Sequence, residues 1–142
     1  MIPALIKKCF DALTTDAQAI EVWGTGQGTR VFLYVEDPAG GVILATEAYN
    51  GREPVNLGAG REISIRELIA LIAREVGFEG EIVWDSSQPD GQPRRRVDTE
   101  RAEKLFGFRA RTEFVEGLRK TIEAYRAEYH KNVRAAMARL SA

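Results

Sequence analysis

Short β-branched and aromatic runs alternate with apolar stripes at helical spacing along this chain, and that alternation most restricts its fold. Ile20–Trp23, Val31–Val35, Pro54–Leu57 and Glu81–Asp85 read as strands. Glycines close the first and third of them, at Gly24, Gly26 and Gly28 and again at Gly58 and Gly60. Residues 3–13 carry Leu5, Ile6, Cys9, Phe10 and Leu13 on one helical face, with Pro3 suited to a first turn. Asp37 reads as the N-cap of a second helix, with Pro38 at its first position and the pair Gly40–Gly41 weakening it. Ser64 and Glu67 form a capping box ahead of Ile65, Leu68, Ile69, Ile72 and Val76, and Gly77 ends that helix. Asp98 caps a short helix that stops near Phe106–Gly107. Thr112 opens the last one, striped by Phe114, Leu118, Ile122, Tyr125 and Tyr129 and continued by Val133, Met137 and Leu140. The expected fold is α/β (α+β), a small mixed sheet of short strands with about five helices.

Composition narrows the function classes. Lys and Arg number 20 against 21 Asp and Glu, a net charge of −1, which argues against a dedicated nucleic-acid binder. Hydrophobic residues make up 44% and charged residues 29%, the balance of a globular chain. A single cysteine, Cys9, excludes an internal disulfide, and a single histidine, His130, disfavours a structural zinc site. No apolar run reaches the roughly 18 residues of a membrane span, and the start lacks the charge order of a secretion signal. A cytoplasmic location is the expectation.

Three features carry possible chemistry. Gly24-Thr25-Gly26-Gln27-Gly28-Thr29-Arg30 invites comparison with a dinucleotide loop. That fingerprint needs glycine where Thr29 stands and a helix directly afterwards, whereas a strand follows here. A tight hairpin between two strands is the better local reading. Arg94-Arg95-Arg96, beside Asp90-Gly91, is either a solvated charge run or an anion clamp that Arg30 joins, since guanidinium forks match phosphate geometry. Trp23 is either a core tryptophan or a stacking surface for a flat ring. Cys9 lies on an apolar helical face and reads as core. No Ser-His-Asp or Cys-His set is visible, and from these residues alone the chemistry stays open.

Taken together, Ile2-Pro3-Ala4-Leu5-Ile6, Val22-Trp23-Gly24-Thr25-Gly26 and Arg30-Val31-Phe32-Leu33-Tyr34-Val35-Glu36-Asp37 resemble extended short-chain dehydrogenases/reductases that act on nucleotide sugars. The resemblance is to the C-terminal, substrate-binding part of that NAD-dependent epimerase/dehydratase family. Val55-Asn56-Leu57-Gly58-Ala59-Gly60, followed by Ser64-Ile65-Arg66-Glu67-Leu68, matches the family's next strand, glycine turn and helix. Asp85 to Arg95, with Pro89-Asp90-Gly91-Gln92-Pro93-Arg94-Arg95 at its end, is similar to the GDP-L-fucose synthase branch. The resemblance covers residues 2–129 and implies a nucleotide-sugar substrate-binding domain over 1–129, with a helical extension over 130–142.

The resemblance also implies what to expect of function. The family's first half is a Rossmann domain that binds NADP and carries a Ser-Tyr-Lys set. No G-x-x-G-x-x-G occurs here, and none of Tyr34, Tyr49, Tyr125 or Tyr129 has a lysine four positions on. No catalytic residue and no cofactor, NADP included, is therefore expected of this chain alone. Lys8, Trp23, Arg30 and Asp90 match the family's substrate-contacting positions, and Arg94 matches the loop that walls the same cleft. Lys8 and Arg30 would meet a diphosphate, Trp23 would cover an apolar face, and Asp90 would accept hydrogen bonds from guanine or ribose. One departure is Val31, where the family usually has glutamate; others are Pro38 and Gly40–Gly41, where it favours alanine. The expected function is GDP-sugar binding without catalysis, with a homo-oligomer or a separate Rossmann partner. The alternative is an interaction module with a decayed ligand site. Val31, Phe32, Leu33, Ile43 and Leu44 are candidates for an apolar patch, and no nucleic-acid or membrane partner is expected.

Overall fold

The computed structural model describes residues 1–140, with side chains as far as Lys131. Five helices and five short strands follow one another as α1 (Ile2–Thr15), β1 (Ala19–Trp23), β2 (Thr29–Val31), α2 (Glu36–Ala48), β3 (Glu62–Ser64), α3 (Ile65–Val76), β4 (Glu81–Asp85), β5 (Arg94–Arg95), α4 (Glu100–Phe106) and α5 (Phe114–Leu140). This is the mixed α/β class expected, with the strands divided between two sheets. β1 and β4 pair in parallel, Ala19 against Glu81 through Trp23 against Asp85. β2 lies in a second sheet, antiparallel to β3 and parallel to β5. The hairpin expected at Gly24–Gly28 is therefore incorrect, because the strands flanking that loop belong to different sheets.

α3 is the best-specified element. Ser64 Oγ accepts from the Glu67 N–H, the Glu67 carboxylate accepts from the Ser64 N–H, and Gly77 caps the other end in the left-handed region. Its apolar stripe of Leu68, Ile69 and Ile72 is fully buried against Ile6 and Cys9 of α1 and Leu118 and Ile122 of α5. α1 turns Ala12 inward, not Leu13, which is 46% exposed. A second, smaller cluster joins Ala102, Phe106 and Phe108 to Leu33, Ala45, Tyr49, Val55 and Leu57.

Several local expectations are corrected. The strand at Val31–Val35 ends at Val31, because Phe32 turns to the main core and Leu33 to the second one. Pro54–Leu57 joins no ladder; Val55 and Leu57 pack on the second cluster, and the Tyr49 hydroxyl donates to the Glu53 carbonyl at 2.7 Å. Asp37 is not an N-cap. It lies inside α2, and its carboxylate accepts from the Arg111 and Thr112 N–H groups, both at 3.1 Å. α4 begins at Glu100, after an Asp98 carboxylate that accepts from the Glu100 N–H, and α5 begins at Phe114, not Thr112. β5, of two residues, is too short for sequence periodicity to register.

α2 runs unbroken through Gly40, and Gly41 is there for room. A Cβ on Gly41 would stand 2.7 Å from the Phe108 ring. The outer face of α2 leaves Val42 and Ile43 58% and 60% exposed, with Leu44 beside them. Of the expected patch residues, Phe32 and Leu33 are packed against the cores and Val31 is half-buried. Val133, Met137 and Leu140 lie outside the residues whose side chains are described. No helix among the described residues is long and apolar enough to cross a membrane.

Candidate functional site

Strand alternation puts the first site residue in place. Ile20 and Val22 point into the core, so Glu21 and Trp23 point out, and Trp23 is 65% exposed. The core reading of this tryptophan is therefore wrong, and the period-two pattern of β1 was the signal that could have shown it. Trp84 is the packed indole, partly buried against the main cluster.

Lys8, Trp23, Arg30 and Asp90 line one open cleft of about 320 Å³, whose apolar floor includes Leu5, Val22 and Ile65. The four come from α1, the end of β1, β2 and the 86–93 loop. Lys8 Nζ donates to the Glu21 carbonyl at 2.7 Å, which holds its stem along β1. Arg30 Nη1 donates to the Thr29 and Gln92 carbonyls at 2.7 and 2.8 Å. Asp90 accepts from Thr25 N–H at 2.5 Å and from Thr25 Oγ at 2.7 Å. Those bonds from Thr25 hold the Asp90 carboxyl below its ordinary range. Lys8 and Arg30 outnumber the ionised Asp90 at the cleft, so its balance is positive and suits an anion beside an exposed indole.

Arg94 is not a wall of this cleft. Its guanidinium forks onto the Glu62 carboxylate, with Nε at 2.9 Å from Oε1, and Arg96 Nε stands 4.0 Å from the same oxygen. Glu62 also accepts from Thr29 Oγ at 3.0 Å, so it ties β3 to β2 and β5. The arginine run is thus mostly a sheet brace. Arg95 alone of the three stands in register with Arg30, so the two emerge on one face of the sheet. Sequence reading missed three further residues: Gln92, whose carbonyl orients Arg30, and the pair Arg66 and Trp84, stacked at 4.5 Å.

The glycine loop does not fit a dinucleotide pyrophosphate. It runs into β2 and not into a helix, Gly24 N–H is spent on the Asp85 carbonyl and Thr25 N–H on Asp90. The space a phosphate would need beside Gly26 holds the Trp84 ring. No group of His, Cys, Asp or Glu that could hold a metal occurs among the described residues. Cys9 is buried, and burial pushes its thiol up to about 11, so it is an unreactive core residue at neutral pH.

Acid stability follows from the brace and the loop. The Arg94 hydrogen bonds hold Glu62 below its ordinary value of 4.5, and Thr25 holds Asp90 below 3.8. Carboxylates depressed in the folded state stabilise it above those ordinary values, and the contribution is lost as pH falls through and below them. The urea midpoint is expected to fall modestly from pH 6 to about pH 3 and further below it; an unchanged midpoint would show these bonds to be energetically silent.

Residues 1–58 match the model of the NAD dependent epimerase/dehydratase family. The chain is 42% identical over 125 residues to a probable GDP-L-fucose synthase 1 of Oryza sativa subsp. japonica, covering 88% of this chain and 38% of that protein. It is 41% identical to a GDP-L-fucose synthase of Sinorhizobium fredii, again over 88% of the chain and 40% of the relative. A GDP-L-fucose synthetase from Naegleria fowleri superposes with a TM-score of 0.84 at 27% identity, over 91% of this chain and 40% of that one. The same protein has also been solved bound to NADP. The chain thus spans about two-fifths of the length of the curated relatives it matches. On sequence and fold together, the chain is similar to GDP-L-fucose synthases along part of their length, and its residues 1–58 match the NAD dependent epimerase/dehydratase family.

Proposed function

We propose that this chain is the nucleotide-sugar-binding part of a GDP-L-fucose-synthase-like epimerase/reductase, binding a GDP-sugar without turning it over alone. The observation that carries the reading is the meeting of Lys8, Trp23, Arg30 and Asp90 on one cleft, from four separate segments. Two cations there suit a diphosphate, and the Trp23 indole suits a flat base or the apolar face of a sugar. Hydride chemistry would need NADP held by a separate dinucleotide-binding part, since the glycine loop here is already committed to its own fold. The lone, buried Cys9 is compatible with a reducing, cytoplasmic setting.

A thermal-shift titration tests this. GDP at about 100 times its Kd stabilises the fold by roughly 2.7 kcal/mol if it binds the folded state alone. NADP, run alongside, is expected to leave the melting temperature where it was. No shift with GDP or GDP-mannose at millimolar concentration overturns the reading.

The exposed Val42, Ile43 and Leu44 of α2 support self-association of this chain, because contiguous exposed apolar surface normally marks an interface. Sedimentation equilibrium at tens of micromolar is expected to give a mass above 15.8 kDa that rises with concentration. One species at 15.8 kDa throughout would end that idea.

A further inference from the structure

The loop that carries the cleft's upper edge is held from both sides, and every polar group of Thr25 is used in holding it. On one side, Thr25 N–H and Oγ–H donate to the two oxygens of Asp90. On the other, Arg66 Nη2 donates to the Thr25 carbonyl at 2.7 Å, and Arg66 N–H donates to the Gly26 carbonyl at 2.9 Å. The Arg66 guanidinium meanwhile lies over the Trp84 ring, 4.5 Å from its centre, and that ring fills the space beside Gly26. Ile65 N–H donates to the Gly28 carbonyl at 3.0 Å, and Gly24 N–H to Asp85. The loop joins Trp23 to β2 and therefore fixes where Trp23 stands relative to Arg30.

We infer that Asp90 and Arg66 are positioning residues: they clamp the 24–28 loop through Thr25, so that the cleft meets a nucleoside diphosphate as a preformed rim. Asp90 then serves the loop and is not a hydrogen-bond acceptor for the base or ribose. Arg66 makes the distinction testable, because it does not line the cleft yet holds the same threonine. A rim fixed before binding loses no loop entropy when the ligand arrives, which is how a positioning residue raises affinity without touching ligand. This rests on the nucleotide-binding reading above for its affinity arm only.

The test compares Asp90→Ala, Asp90→Asn and Arg66→Ala with the parent chain, by amide hydrogen exchange of ligand-free protein and by GDP affinity. Amides of Leu68–Ile72 in the core report global stability. Asp90→Ala and Arg66→Ala are expected to speed exchange at Thr25 and Gln27 at least tenfold while the core amides keep their protection, and to weaken GDP by a similar factor. Asp90→Asn is expected to restore both, since the amide oxygen still accepts from Thr25 N–H and its NH₂ can donate to Thr25 Oγ. Loss of GDP affinity in Asp90→Asn with Thr25 still protected would make Asp90 a direct ligand contact and overturn the inference. Unchanged exchange in both alanine variants would overturn it as well. If the parent chain fails to bind GDP, the functional reading falls while the exchange arm still decides the clamp.

Discussion

Replacing Gly26 with alanine is expected to cost about 2–5 kcal/mol of stability, the sum of about 1–2 for a left-handed alanine and about 1–3 for overpacking. Gly26 has φ +75°, and a Cβ there would stand 2.3 Å from the Trp84 ring. That ring cannot retreat without leaving the main core or breaking its stack on Arg66. Gly40 provides the contrast. Nothing lies within 4 Å of a Cβ placed there, and it sits inside α2, so Gly40→Ala should stabilise by about 1 kcal/mol through helix propensity. Urea denaturation of the two variants reads opposite signs. A loss below about 1 kcal/mol for Gly26→Ala would mean that the loop adapts freely, contrary to its hydrogen bonding.

Arg30→Ala is expected to weaken GDP by roughly 10- to 150-fold, the equivalent of about 1.5–3 kcal/mol for one charge-assisted contact. Arg30 is oriented by the Thr29 and Gln92 carbonyls through Nη1. Among the described residues its Nε and Nη2 carry no hydrogen bond, so part of the fork is available to a ligand oxygen. Arg30→Lys keeps the charge and loses the fork, so its affinity should fall between the parent and the alanine variant. Calorimetric titration measures both. An affinity unchanged by Arg30→Ala would remove that residue from the site.

Long periodic elements were legible in the sequence because their signals are local. The α3 capping box, its Gly77 cap and the buried Leu68–Ile69–Ile72 stripe all follow from spacing alone, as does the Leu118–Ile122 face of α5. Short strands were not legible, because their existence depends on partners far along the chain. Val31–Val35 and Pro54–Leu57 have strand-like residues, yet strand pairing stops at Val31 in the first and never forms in the second, and both donate side chains to the second core cluster. Conversely, Glu62–Ser64 and Arg94–Arg95 have no strand pattern and become strands because Glu62 recruits Thr29 and Arg94 to one carboxylate. At the site, Lys8, Trp23, Arg30 and Asp90 meet on one cleft, while Arg94 turns to Glu62. No sequence spacing announces an ion pair between residues 62 and 94, nor the stacking of Arg66 on Trp84.

Titration of isotope-labelled protein with GDP, followed by backbone and indole N–H shifts, tests the central claim most directly. Trp23 supplies an exposed indole N–H at the cleft, and Lys8, Gly26, Arg30 and Asp90 supply backbone N–H groups around it. The expected result is saturable shifts confined to these positions and their neighbours in β1, β2 and the 86–93 loop, with α2 and α4 unmoved. Shifts centred on α2 and Phe108, or none at millimolar GDP, would contradict it.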